Sequence, residues 1–438
     1  MRPVAIVVAV VMVAAAAAGY SIQAGLGPVP VLPSASTTPV ASPPPGASVA
    51  VAPPAAISAP APSRDLQLEV AAVEAQVPPL RQLQPLRPVP TRIIDPDQLR
   101  RTLEQEIDAP SNLAALSAEQ DLLVRLGLAA PGLDLRALSL ATLTSQVLGL
   151  YDPNAHDMTV VNRIGDFGLI ARFTIAHEYT HALQDQHFGL ARLGANDSFP
   201  TDRVLALHAL IEGDASLLGV EWMERHVTLA DLLDIGRLLL SSLQPVVPAG
   251  TPPLISRTLL FPYLEGMSFV SALYRVGGWA AVDRAYTRPP SSTAEILHPD
   301  RYLAGWTPRP VVAPPLENVL GSGWRRAYLD TMGELTFQVW LEQVLDGDAA
   351  RALAAEWTGD QVASWSGPSG GWVIAWRSTW ATVGAALSAA SAADRLVAAA
   401  GAAGGSSAHV ERVAGTTVTL LLASDRGTLD RASRSLGP

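Results

Sequence analysis

The chain contains no cysteine and no lysine. Without cysteine there is no disulfide framework, no thiolate-bound metal and no thiol nucleophile, so any transition metal must be held by histidine and carboxylate. Without lysine, every cationic side chain other than histidine is an arginine; the 30 arginines face 40 Asp and Glu, for a formal charge of −10. No basic run interrupts this acidic balance, and nucleic acid is not expected as a partner. Histidine is also scarce, at 8 in 438 residues. Two histidines four residues apart therefore stand out.

They lie in Phe173–Phe188, FTIAHEYTHALQDQHF, which carries His177-Glu178-Tyr179-Thr180-His181, the pattern H-E-x-x-H. On an α-helix, residues four apart stack on one face, so His177 and His181 can aim two imidazoles at one metal ion. Glu178 flanks the same face, within reach of a water on that ion. Zn²⁺ held in this way lowers the pKa of its water to about 7. Neither Gly nor Pro falls between Arg172 and Phe188, and Phe173, Ile175, Ala176, Ala182 and Leu183 surround the motif. The pattern predicts a buried helix.

Catalytic zinc normally takes three protein ligands and a water. The next strong helical pattern covers Arg203–Arg225, with Leu207, Leu210, Ile211, Leu217, Leu218 and Trp222 on its apolar face. Glu212 falls inside that run, where an unpaired carboxylate is unfavourable and a metal removes the penalty. His208, four residues earlier, is the rival third ligand. Asp214 and Ser216 are candidate acceptors for a ligand imidazole. His187, just past the site helix, is expected to cap it.

HEYTHALQDQHF followed by ALIEGDAS on the next helix resembles the gluzincin class of zinc metallopeptidases. The resemblance implies His177, His181 and Glu212 as zinc ligands and Glu178 as the general base. YDPN, HALQDQHF, EGDA and the later STAEILHP are also similar to a group of uncharacterised bacterial secreted proteins of metallopeptidase type, over most of the chain from Leu66 onward. Thermolysin-like enzymes place an Asp four residues after the Glu ligand; here that position is Ser216. The glycine and histidine spacing of the metzincins is absent.

At the start of the chain, Val4–Ala24 is uncharged and follows Arg2. Residues 1–26 are expected to be a cleaved signal peptide or a membrane anchor. Residues 27–63 are rich in Pro and Ala and carry no charge, which predicts a disordered, extended tether. Helices are expected over 65–82, from Asp95-Pro96 through Ile107, over 118–126 and over 138–148, with a strand within 89–94. Gln146–Val161 reads as a β-hairpin around Asp152-Pro153-Asn154, placed to bind an extended substrate by strand addition or simply to cover the site helix. Leu229–Leu243 reads as an amphipathic helix, and 266–276 as a helix ending at Gly277-Gly278. His298, Tyr263 and Tyr302 are candidate donors to the oxyanion of peptide hydrolysis, and His298 is taken as the second catalytic residue beside Glu178. A helix is expected within 324–345. Beyond it, 361–436 predicts a ββαββα array with no cluster of acid, base or metal-binding residues.

The expected fold is α+β and zincin-like, mostly helical around the H-E-x-x-H helix with a hairpin before it. The metallopeptidase domain spans 64–355 and a small accessory α+β module 356–438. The expected function is zinc-dependent hydrolysis of peptide bonds in a peptide or protein substrate outside the cytoplasm. Contact with the membrane is expected only through the N-terminal segment. The alternative is an inactive, surface-tethered binding or scaffold protein with a structural zinc site.

Overall fold

The computed structural model describes residues 64–162, 168–194, 199–228, 231, 250–402 and 408–436. The N-terminal segment, the tether and nearly all of the 229–243 helix expected from sequence lie outside these residues. Among them no helix is long and apolar enough to cross a membrane.

The class is α+β. Helix α1 (Arg64–Arg81) leads to strand β1 (Thr91–Ile94), then α2 (Pro96–Ile107), α3 (Pro110–Arg125) and α4 (Leu135–Gln146). The start of α2 is set locally. Asp95 accepts from the Gln98 backbone at 2.7 Å, Gln98 accepts from the Asp95 backbone at 2.9 Å, and Pro96 occupies the first turn. This capping box satisfies two N–H groups that the helix itself cannot. Leu99, Leu103 and Ile107 then bury one face.

The hairpin expected from sequence is present as β2 (Gly149–Asp152) and β3 (Asp157–Val161), antiparallel, with β1 parallel to β3 on the other side. The order β1-β3-β2 makes β2 an edge strand of its sheet. The turn is held by Asp152, whose carboxylate accepts from the Asn154 and Ala155 backbones.

Helix α5 (Leu169–Phe188) carries the H-E-x-x-H motif, and every residue from Phe173 to Asp185 is buried. A helix covered on all sides must be central: α1, β2, β3 and α6 (Thr201–His226) pack around it. It stops at Gly189, whose left-handed backbone (φ 70°) suits a residue without Cβ. Helix α7 (Pro253–Ala285) lies along α6. The sequence placed a helix end at Gly277-Gly278. The structure shows instead a break in non-helical backbone at those two residues, after which helix resumes to Ala285. Helices α8 (Thr293–Leu297), α9 (Pro299–Leu303) and α10 (Glu317–Leu320) are short.

A second sheet, ordered β4-β5-β6-β8-β7, is antiparallel throughout. It comprises β4 (Arg325–Asp330), β5 (Trp357–Ser366), β6 (Trp372–Trp380), β7 (Ala408–Ala414) and β8 (Thr417–Ala423). Helices α11 (Gly333–Leu341) and α12 (Gly347–Ala354) separate β4 from β5; α13 (Val383–Ala402) follows β6 and α14 (Arg426–Ser433) follows β8. The ββαββα order is present, but the sheet also takes β4 from ahead of residue 356. Period-2 alternation buries both faces. Val362, Ile374, Trp376, Leu420 and Leu422 pack with α13, whereas Ala363, Trp365, Val373, Ala375 and Leu421 pack with α14. The α13-side core also contains Leu122, Leu123 and Leu126 from the α3 region, and Trp340 Nε1 donates to the Leu126 carbonyl at 2.9 Å. The two parts of the chain thus share one apolar core.

Candidate metal centre

Helix α5 supplies two imidazoles and α6 one carboxylate. His177 Nε2 lies 3.0 Å from Glu212 Oε2, His181 Nε2 lies 3.4 Å from the same oxygen, and the two Nε2 atoms are 3.1 Å apart. All three residues are buried, and their ligand atoms lie within 4.8 Å of one another. Among the described residues no fourth His, Asp or Glu joins this group. His208, the rival third ligand, is outside it.

The tautomer of His181 follows from its neighbours. Gln184 Nε2 donates to the Ile211 carbonyl at 3.0 Å, so its Oε1 faces His181 Nδ1 at 2.8 Å and Nδ1 must carry the proton. When neutral, His181 therefore aims the lone pair of Nε2 at His177 Nε2 and at a carboxylate. Two imidazole nitrogens and a carboxylate oxygen converging at one buried point form a set that could hold a metal ion. A divalent metal is the group this donor set fits, with His₂Glu the set of several catalytic zinc sites. Burial alone lowers the His181 imidazole, but the Glu212 carboxylate outweighs it and raises the pKa. His177 is lowered, chiefly by burial. For Glu212, burial is overcome by the two imidazoles and the carboxyl is held below the usual range.

Gln184, three residues after His181, makes the contact to an imidazole that the sequence offered to Asp214 or Ser216. Asp214 is engaged elsewhere. It receives Arg81 Nε at 2.7 Å, Arg81 Nη2 at 2.9 Å and the Tyr286 hydroxyl at 2.8 Å. Arg81 is wholly buried, lies over the Trp279 ring and also reaches Asp283. This network ties α1, α6 and α7 together beside the site.

Glu178 is fully buried, and neither carboxyl oxygen has a hydrogen-bond partner. Burial pushes its pKa up to about 8; nearby His181 lowers it and Glu212 raises it. The Tyr151 backbone also lowers it, although no hydrogen bond of ordinary geometry reaches either oxygen. Strand β2 covers the residue. A Cβ on Gly149 would stand 2.8 Å from Glu178 Cγ and 2.6 Å from Thr174 Cγ2, so only glycine lets the strand approach this closely. One turn of strand further, Asp185 accepts from the Tyr151 hydroxyl (2.9 Å), from Arg87 (2.7 Å) and, through Oδ1, from the Leu190 backbone (3.0 Å). His156 Nδ1 is 2.9 Å from the same carboxylate. Asp185 thereby fastens the hairpin to the site helix. The YDPN and HALQDQHF motifs carry the two sides of this contact, which their separation in sequence concealed.

The three oxyanion candidates are separated by the structure. The Tyr263 ring lies beside His177, centroids 6.3 Å apart. The Tyr302 hydroxyl donates to the Arg288 carbonyl at 2.8 Å. His298 Nε2 is 2.8 Å from Glu334 Oε1 on α11, and among the described residues it is not part of the His177–His181–Glu212 group. His187 Nε2 donates to the Gln84 carbonyl at 2.7 Å, linking the end of α5 to the segment after α1.

Comparison of the chain with protein-family models, with curated proteins and with solved structures finds no match.

Proposed function

We propose that the chain is a zinc-dependent metallopeptidase of the gluzincin type, with a zincin-like arrangement of α5, α6 and the hairpin. The observation that carries the reading is the convergence of His177, His181 and Glu212 with an unpartnered carboxyl, Glu178, one residue along the same helix. Those three side chains would hold the metal. When bound, a zinc ion acts as a Lewis acid, making water acidic and polarising a carbonyl. Glu178 accepts the proton of the attacking water at a carboxylate oxygen and delivers it to the leaving amine nitrogen. Tyr263, whose ring lies beside His177, is the candidate we take as the donor to the oxyanion, and His298 is assigned there only by sequence. Strand β2, at the edge of its sheet among the described residues, gives an extended peptide a place to pair beside the site helix once the cover over Glu178 has moved. We read the N-terminal segment as the export signal or anchor and the protein as acting outside the cytoplasm.

One observation favours the second reading, a structural metal in a scaffold protein: His177, Glu178, His181 and Glu212 are only 0–3 % exposed. In this conformation a peptide cannot reach the site, so turnover requires movement of β2 or another covering element. Against a structural role, closed zinc sites use four protein ligands, and a scaffold has no need of a buried carboxyl without a partner. Metal analysis of the purified chain is expected to give about one zinc per chain, lost in His177→Ala and Glu212→Ala. A peptide library cleaved by the zinc-loaded chain supports the enzyme. Full zinc occupancy in both variants overturns the site, and no cleavage at full occupancy favours the scaffold.

A further inference from the structure

We infer that the C-terminal sheet carries a second binding site, separate from the metal centre, that takes a small organic anion bearing a carboxylate or phosphate. On the α14 side, α14 and the 313–320 segment cover the half of the sheet lined by Ala363, Trp365, Val373 and Leu421. The other half is a cavity of about 390 Å³ whose floor is polar: Arg377 and Thr379 from β6, Thr417 and Thr419 from β8, and Arg412 from β7. That volume lies within the range of small-ligand pockets. Pro310–Val312 and Leu436 form apolar walls, and no acidic residue lines it. In a chain of net charge −10, Arg377 gives the cavity a cation that no carboxylate among the described residues faces.

Arg377 gives this cavity its chemistry. Its Nε donates to Thr419 Oγ1 at 3.2 Å and its Nη1 to the Val312 carbonyl at 3.0 Å. Both acceptors are neutral, and no carboxylate faces the guanidinium among the described residues. Burial accordingly lowers its pKa, with no opposing charge to restore it, yet an arginine stays ionised in a protein. A half-buried fixed cation with N–H groups to spare is the side chain that recognises a planar or tetrahedral oxyanion in two-point contact. Thr419 accepts from Arg377 and so keeps its own hydroxyl hydrogen to donate, and among the described residues none engages the Thr417 hydroxyl. Arg412 Nη1 donates to the Leu436 carbonyl at 3.1 Å, which fixes its stem along the same wall. Positive charge, two hydroxyl donors and flanking apolar walls match an anionic head on a short carbon body.

The test is calorimetric titration of the full chain with inorganic phosphate and, separately, with succinate, at constant ionic strength with chloride as the control salt. Saturable one-site binding of either probe is expected, and the probe preferred identifies the anionic group. Arg377→Met removes the guanidinium and keeps the stem, and is expected to weaken binding at least about tenfold, the loss of a charge-assisted pair. Ala414→Trp fills the cavity from its exposed lip and leaves Arg377 in place, so it blocks binding even where Arg377→Met unfolds the module. Absence of saturable binding of both probes overturns the inference. So does binding that survives Ala414→Trp unchanged.

Discussion

Replacing Gly213 by alanine is expected to disturb the candidate metal centre without touching any of its three candidate ligands. Gly213 follows Glu212 on α6 and faces Gly266 on α7. A Cβ built on Gly213 stands 2.2 Å from both the carbonyl carbon and the oxygen of Gly266, and one on Gly266 stands 2.2 Å from the Ala209 carbonyl oxygen. Ordinary contact begins at 3.4 Å, so the helices must separate by roughly 1 Å, and backbone cannot swing aside as a flexible side chain does. Overpacking of this kind costs about 3 kcal/mol. Alanine returns about 1 kcal/mol of helix propensity, leaving a net loss on the order of 2 kcal/mol. Because Glu212 rides on the displaced helix while His177 and His181 stay on α5, zinc affinity is expected to fall together with stability. Gly266→Ala should behave alike. Gly347→Ala, where a Cβ meets nothing within 4 Å, is the control and is expected to be neutral or slightly stabilising. Chemical denaturation and a competitive zinc titration read the two effects. Gly213→Ala and Gly266→Ala with the stability and zinc affinity of the parent chain would refute the close-crossing argument.

Two further outcomes test what surrounds the site. Arg81→Met leaves Asp214 as a buried carboxylate without its cation and is expected to destabilise the chain by about 3–5 kcal/mol, with part of the loss recovered by adding Asp214→Asn; an unchanged denaturation midpoint in Arg81→Met contradicts this. Asp202 accepts from the Thr293 backbone and hydroxyl, and burial, opposed by those bonds, pushes its carboxyl from the ordinary 3.8 up to about 7. Since the folded pKa lies above the unfolded one, the folded chain holds the extra proton. The stability from this group is complete below pH 3.8 and is lost as pH rises through about 7. Asp202→Asn, in which the unpartnered Oδ2 becomes an amide nitrogen, is expected to remove a slope of up to about 1.4 kcal/mol per pH unit between pH 4 and 7. Parallel stability curves for variant and parent across that range contradict it.

The site helix and its partner were legible because each departs from a local rule. Two histidines at helical spacing inside an unbroken apolar stretch, and a lone carboxylate in the apolar face of the next helix, are departures that a metal explains. Gln184 was visible in principle, three residues from His181 on the same face, but many glutamines sit three residues from a histidine. The Arg81–Asp214 pair joins residues 133 apart, and no local pattern links them; Asp214 therefore looked available to a ligand. Strand β4 was not read because RRAYLD has mostly exposed or half-exposed side chains. It lies at a sheet edge, where alternation is weak and pairing comes from the partner strand. At Gly277-Gly278 the glycines signalled a stop, yet the chain resumes helix because Trp279 and Val282 are buried in the core beyond them. Oxyanion candidates could be named by residue type but not ranked, since only the packing of α7 brings Tyr263 to His177.

The central claim is that Glu178 moves the proton in a zinc-dependent hydrolysis, and Glu178→Gln tests it most directly. The substitution keeps side-chain size and helix propensity, leaves His177, His181 and Glu212 untouched, and removes the carboxylate that accepts a proton. Zinc content and thermal stability are expected to remain, while kcat for a cleaved peptide falls by about 10²–10⁴-fold. A Glu178→Gln protein that keeps its zinc and cleaves at the parent rate contradicts the account.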